Sequence, residues 1–188
     1  MTAANTYPCA PAQFDVGNGY ALKQFVSSDG PELLDVIMAN SDYLESAFDP
    51  KMFNTTVADK ACRLFQDVNE AGRGALYKIV RGGVPPMPDT MVGVVDLRRV
   101  SDTTGILSYW RAESSDLRGI ASRASAKVVE FALNGWGLDT IMIHIAPDNI
   151  PSQKVAAKLG AVRAGILENP GTGDVQTLEL WRIDKDGQ

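Results

Sequence analysis

The sequence is poor in the residues that hold metals or form covalent cross-links. It contains two cysteines, Cys9 and Cys62, and a single histidine, His144. The cysteines form neither a C-x-x-C motif nor a Cys/His cluster, so no metal is expected. Two isolated cysteines also do not make a disulfide framework, and reduced thiols in a cytoplasmic protein are the simplest interpretation.

Long apolar runs and an excess of positive charge are also missing. No stretch approaches the roughly 20 apolar residues that a membrane-spanning helix requires, and the N-terminus does not have the pattern of a signal peptide. The formal net charge is −5, which argues against nucleic acid or an anionic membrane as a partner. An acidic surface would suit a basic protein partner, although it also simply favours solubility.

The residues that are present suffice for one globular domain. The chain has 188 residues, of which 45% are hydrophobic and 22% charged, as is ordinary for a domain with a substantial core. Residues 1–18 contain two prolines and little periodicity, so they are interpreted as a loose N-terminal arm. Residues 19–184 are predicted to form the domain.

Strand and helix patterns alternate along this domain. Apolar alternation predicts strands at 20–25, 75–80, 91–100, 140–146, 162–167 and 175–183. Helical spacing of apolar residues predicts helices after residue 30, over 56–71, after Ile120 and after Asn149. The strand that ends at Trp110, the helix after Ile120 and the strand at 140–146 predict a parallel crossover. The fold class is therefore α/β.

The stretch from Leu107 to Ser122 combines a strand, a short polar turn and the start of a long helix. A helix start presents unpaired backbone N–H groups and the positive end of a dipole. Small residues there let a phosphate approach the backbone closely. The phosphate-binding candidates are the backbone groups of Arg118, Gly119, Ile120, Ala121 and Ser122.

This stretch resembles the GNAT acetyltransferases, whose pyrophosphate loop has the pattern Gln/Arg-x-x-Gly-x-Gly/Ala. The matching window is residues 116–121, in which Gly119 and Ala121 fit the pattern and Asp116 departs from it. Residues 109–114 resemble the RimJ/RimL-like branch, which acetylates N-terminal amines of ribosomal proteins. Asn149-Ile150-Pro151-Ser152 and the later Lys158-Leu159-Gly160-Ala161 resemble a second block of the family.

The resemblance implies a fold, a cofactor and a reaction. The fold would be a single GNAT-like domain with a mixed, twisted sheet, helices on both faces and a gap beside the strand that ends near Trp110. Acetyl-CoA would be the co-substrate, and its acetyl group would pass directly to a primary amine. That amine belongs to a protein N-terminus, an amino sugar, an antibiotic or a polyamine, and a homodimer is compatible with the family.

The resemblance also assigns site residues. Ser152 either protonates the departing CoA thiolate or only caps its helix, and Asn149 joins the cofactor-binding residues. Glu113 is the first candidate for the base that deprotonates the amine, unless it is only a solvated turn residue or an anchor for the substrate ammonium. Glu168 is the second candidate. Trp110 either walls the substrate site or fills the core.

Three further residues and three other functions stay open. Tyr43 and Phe48 are candidates for substrate contact, whereas His144 is expected to be a packed core residue more often than a base. The alternatives to acetyl transfer are transfer of another acyl group such as succinyl, an acyl-CoA-binding regulatory protein, and a purely structural dimer module. The carboxylate of Asp116 next to a pyrophosphate keeps the binding-protein alternative open.

Overall fold

The structure is a computed structural model that describes residues 8–45, 50–82, 88–169 and 176–185. In these ranges eight strands form one sheet in the order β1-β2-β3-β4-β5-β6-β8-β7. The strands are β1 (Gln13–Gly17), β2 (Tyr20–Gln24), β3 (Gly74–Arg81), β4 (Thr90–Arg99), β5 (Thr104–Arg111), β6 (Thr140–Ile145), β7 (Val162–Asn169) and β8 (Gln176–Asp184). The helices are α1 (Gly30–Ala39), α2 (Ser41–Leu44), α3 (Thr55–Glu70), α4 (Ile120–Asn134) and α5 (Ile150–Lys158).

The sheet is mixed, as the resemblance implied. Neighbouring strands pair antiparallel except β5 and β6, which are parallel and are joined through α4, so the predicted crossover is confirmed. A parallel pair needs such a long connection, because a tight turn can join only antiparallel strands.

Helices cover both faces of the sheet and create two apolar cores. The first core lies under α4 and α5 and contains the inward face of α4 together with Leu107, Ile143 and Ala156. The second core lies under α1 and α3 and contains Phe25, Leu33, Cys62 and Val94. Alternate residues of the central strands face opposite cores, because side chains alternate across a strand. The prediction of an α/β sheet with helices on both faces is confirmed.

Part of the expected loose arm belongs to the sheet. Residues 13–17 form β1, which pairs with β2, and Val16 is buried in the first core. The hydroxyl of Tyr77 donates a hydrogen bond to the carbonyl of Pro11 (2.6 Å), and Trp136 Nε1 donates to the carbonyl of Pro8 (2.7 Å). The prediction was wrong for residues 13–17, because the two prolines hid a strand of only five residues.

In the described parts of the chain no helix is long and apolar enough to cross a membrane.

Candidate active site

A gap opens in the middle of the sheet where β5 and β6 part. The two strands pair only from Thr104 to Ile106 on β5 and from Thr140 to Met142 on β6. Beyond these residues β5 stays paired with β4 as far as Arg111, and β6 stays paired with β8 as far as Ile145. Each strand therefore follows its outer neighbour, and backbone groups on the inner edges are left without a strand partner.

A cavity of about 280 Å³ fills this gap, and we name it the gap cavity. Its walls are residues 107–109 of β5, residues 143–146 at the end of β6, Leu178 of β8, and Asn149 and Ser152 at the start of α5. The described residues that line it include no Asp, Glu, Lys or Arg. Such a lining suits an uncharged group next to a few polar atoms.

The start of α4 leaves several backbone N–H groups available. Gly119 is the N-cap residue, its φ is +77° and no side chain caps the helix. The first backbone hydrogen bond of this turn runs from Arg123 N to Gly119 O (3.1 Å), so the N–H groups before Arg123 have no helical partner. The side chain of Ile120 is fully buried in the first core, which anchors the turn and leaves Ile120 only its backbone to offer a ligand.

A second cavity of about 210 Å³ lies against this helix start, and we name it the loop cavity. It is lined by Arg118, Gly119, Ala121 and Ser122 and, across from them, by one face of α5. Four of its lining residues are cationic and none of those described is acidic; the cations are Arg111, Arg118, Lys154 and Lys158. Positive side chains and unpaired N–H groups at a helix start are the kinds of group that bind anions in proteins.

Arg123 strengthens the fit to an anion. Its Nε is buried and makes no hydrogen bond within the part of the chain that the structure describes. Its guanidinium also lies close to the loop, since a Cβ added to Gly119 would be 3.5 Å from Arg123 Nη1. A buried guanidinium nitrogen without a partner is costly unless a ligand or water satisfies it.

Asp116 has partners of its own outside the helix start. Its carboxylate accepts hydrogen bonds from the hydroxyl of Ser114 and from the guanidinium of Arg81. The Ser114 hydroxyl, followed by the Arg81 charge, lowers the pKa of this exposed carboxyl. The departure from the family pattern therefore adds a charge that Arg81 already balances.

Asn149, Ser152 and Tyr109 meet where the two cavities adjoin. Asn149 Oδ1 caps α5 by accepting a hydrogen bond from the backbone N–H of Ser152 (3.1 Å). The hydroxyl of Tyr109 donates to the backbone carbonyl of Ser152 (2.9 Å), and burial raises the pKa of this phenol. Ser152 and Tyr109 line both cavities. The side-chain cap of α5 comes from Asn149, and the Ser152 side chain lies next to the Tyr109 hydroxyl.

The other predicted residues lie apart from this junction. Trp110 is half-buried against the second core, and Glu113 is exposed, with its backbone N–H donating to Asn40 Oδ1 (2.7 Å). Glu168 is exposed on β7. None of the three is among the residues that line the gap cavity or the loop cavity.

His144 and Tyr43 do reach the cavities. The expectation that His144 is a packed core residue is wrong, because its side chain is exposed and lines the gap cavity. Tyr43 lines the loop cavity, with the guanidinium of Arg111 5.4 Å from its ring centre. Phe48 lies outside the described residues.

Sequence reasoning missed Tyr109 and the two lysines of α5. Lys154 and Lys158 are four residues apart, a spacing that places them on one face of a helix and that the sequence shows directly. The position of Tyr109 depends on the sheet, because it reaches α5 from a strand that lies 43 residues earlier in the chain.

Comparison with known proteins gives a family and a fold. A model described as "Acetyltransferase (GNAT) domain" matches residues 21–162, more than half of the chain. No curated protein matches the chain significantly in sequence.

Three solved structures illustrate the fold. The microcin C7 self immunity acetyltransferase MccE, in complex with acetyl-CoA and AMP, has a TM-score of 0.80 at 17% identity, over 94% of this chain and 98% of that one. A ribosomal-protein-S5-alanine acetyltransferase from Vibrio fischeri has a TM-score of 0.79 at 19% identity, over 94% and 98%. Mycobacterium smegmatis RimJ, in complex with CoA-disulfide, has a TM-score of 0.79 at 21% identity, over 96% and 91%.

Proposed function

Because the chain belongs to the GNAT acetyltransferase family, we propose that it is an acetyl-CoA-dependent N-acetyltransferase of the RimJ/RimL-like type. It transfers the acetyl group directly to a primary amine, and the acceptor is the N-terminal amine of a protein. The fold neighbours include enzymes named for ribosomal-protein substrates, which supports this acceptor class. Two free cysteines fit a cytoplasmic location.

The observation that carries the proposal is the junction of the two cavities at Ser152 and Tyr109. The loop cavity combines four cations with uncapped N–H groups, which suits the pyrophosphate of CoA. The described residues that line the gap cavity next to it include no Asp, Glu, Lys or Arg, and β5 and β6 are not paired with each other beyond Ile106 and Met142, which suits the pantetheine arm and the thioester. One elongated ligand with a charged end and a neutral reactive end therefore fits both cavities in succession.

The residues at the junction have separate roles in this proposal. Ser152 lines the gap cavity, in which the thioester lies in this proposal, so its hydroxyl donates a proton to the departing thiolate. Tyr109 holds the first turn of α5 through the carbonyl of Ser152, and Asn149 caps that turn. Cys62 is not the nucleophile of an acyl-enzyme in this proposal, because its side chain is enclosed in the second core and burial raises the pKa of its thiol to about 12.

The direct test is acetylation of a peptide that begins with alanine and carries one internal lysine. We expect acetyl-CoA and the enzyme to add one acetyl group, which fragmentation by mass spectrometry places on the N-terminal amine. Acetylation of the lysine alone would contradict the proposed acceptor. Rapid transfer from succinyl-CoA and none from acetyl-CoA would contradict the acyl group.

A matched pair of glycine variants tests the phosphate site. Gly119 and Gly160 both have positive φ, +77° and +81°, so a side chain strains either backbone by about 1–2 kcal/mol. Gly119→Glu also places bulk and negative charge in the loop cavity, and we expect it to raise the KM for acetyl-CoA at least about tenfold. Gly160→Glu lies outside the cavity and should leave that KM nearly unchanged. If the two substitutions raise the KM for acetyl-CoA equally, the loop does not bind the phosphates.

A further inference from the structure

The single histidine lies on the side of the sheet away from α4 and α5. On β6, Ile141, Ile143 and Ile145 face the first core, so Met142 and His144 face the opposite side. His144 is exposed there and lines the gap cavity together with Ser108 of β5. Ser108 and His144 each lie two residues beyond the last pair, Ile106 and Met142, so both face the same side of the sheet as that pair.

The gap cavity therefore passes through the sheet. Tyr109 and Ser152 reach it from the side of α4 and α5, where the loop cavity lies, whereas Ser108 and His144 reach it from the other side. In acyl transfer the leaving group is protonated at one position and the attacking amine is deprotonated at another. Lining residues on both faces of the sheet separate these two positions.

Few charged groups face the imidazole. Among the described residues that line the gap cavity, the titratable side chains are His144 and Tyr109, and burial raises the pKa of the Tyr109 phenol. On β8, Leu180 lies opposite His144 and Arg182 lies opposite Met142 on the same face. Arg182 forms an ion pair with Asp184 (2.8 Å). On the other side, Asp96 of β4 lies opposite Ser108 and forms an ion pair with Arg98 (3.3 Å). Burial raises the pKa of Asp96.

We propose that His144 accepts the proton of the substrate ammonium at the open side of the gap cavity, a role that rests on the proposed function. Imidazole is the side chain whose ordinary titration lies closest to neutral pH, so it can take this proton and pass it to water. The lone pair of the amine then forms the C–N bond as the C–S bond breaks. The nitrogen loses a second proton as the amide forms, and the thiolate gains one proton, so these two protons balance. Overall, ammonium and thioester give amide, thiol and one proton released to solvent.

Removal of the imidazole and its return from solution test this role. With the alanine-starting peptide, we expect His144→Ala to lower kcat about 100-fold or more, with the KM for acetyl-CoA changed less than about threefold. Added imidazole should restore part of the lost rate, because the truncation leaves space on an exposed face. Met142→Ala is the matched control, since Met142 lies on the same face of β6 but outside the gap cavity. It should keep the wild-type rate and show no response to imidazole.

The histidine can also be observed directly. His144 is the only histidine, so an untagged chain with ¹³C-labelled histidine gives one imidazole signal in an NMR spectrum. We expect saturating acetyl-CoA to change the chemical shift of this signal and the pH at which the signal titrates. An unchanged signal in a protein that binds acetyl-CoA would overturn the role of His144, even if no peptide were turned over.

The outcomes separate the two proposals. If acetyl-CoA fails to raise the melting temperature of the wild-type chain, the proposed function fails, whatever the histidine signal does. If the wild type acetylates the peptide and His144→Ala retains its rate, only the role of His144 is overturned. If Glu113→Gln loses the rate and His144→Ala keeps it, the base is Glu113.

Discussion

Asn149, rather than Ser152, caps α5 with its side chain, and the two residues can be tested separately. Ser152→Ala keeps the backbone N–H that Asn149 binds, so we expect an unchanged melting temperature and a kcat at least about tenfold lower. Asn149→Ala removes the cap and should cost about 1 kcal/mol of unfolding free energy. Thermal melts and initial rates measured on both variants show whether Ser152 acts in catalysis and whether Asn149 acts in stability. Parallel loss of stability and rate in Ser152→Ala would make the serine structural.

The role of a single residue was predictable from the sequence where that role depends only on the local backbone conformation. Gly119 precedes a helix whose start follows from the apolar pattern, and its positive φ is a property of the turn itself. Tyr109, Lys158 and His144 depend on which strand neighbours which helix. His144 was misjudged because its strand is apolar, whereas the exposure of its side chain results from the gap beside β6.

The pairing of β1 with β2 makes the N-terminal segment a structural element, and truncation tests it. A variant that begins at Gly19 loses buried Val16 and the carbonyl acceptors of Tyr77 and Trp136. We expect it to lose on the order of 4 kcal/mol of unfolding free energy, a fall in melting temperature of roughly 10 °C. A variant that begins at Pro8 keeps all of these contacts and is the control. Equal melting temperatures for the two variants would restore the interpretation of a loose arm.

Most elements were predictable because their patterns are strong and long. The strands at 91–100 and 140–146 were predicted within one residue of β4 and β6 at either end, since apolar alternation and turn residues mark their limits. For β1 the useful signal was the turn Gly17-Asn18-Gly19, whose residues all have positive φ and join β1 to β2. The boundary predicted between residues 18 and 19 cuts through this hairpin, because a strand of five residues shows little periodicity.

At the scale of the whole molecule, the sheet order and the two cores follow from the alternation of strands and helices. The gap between β5 and β6 does not follow from composition or periodicity. It forms because β5 pairs along its length with β4 and β6 with β8, and only the resemblance to the family implied it. The family match confirms the prediction of an acetyltransferase, whereas the acceptor amine stays a proposal.

The most direct measurement is a thermal-shift titration of the whole chain with acetyl-CoA, with free CoA and succinyl-CoA in parallel and Gly119→Glu as the control. A ligand that binds only the folded state adds about 2.7 kcal/mol at a hundred times its Kd, which is roughly 5–10 °C for a chain of this length. We predict this shift for acetyl-CoA with the wild type and its loss in Gly119→Glu. No shift with any of the three ligands would show that the two joined cavities do not hold the cofactor, and it would contradict the proposed function.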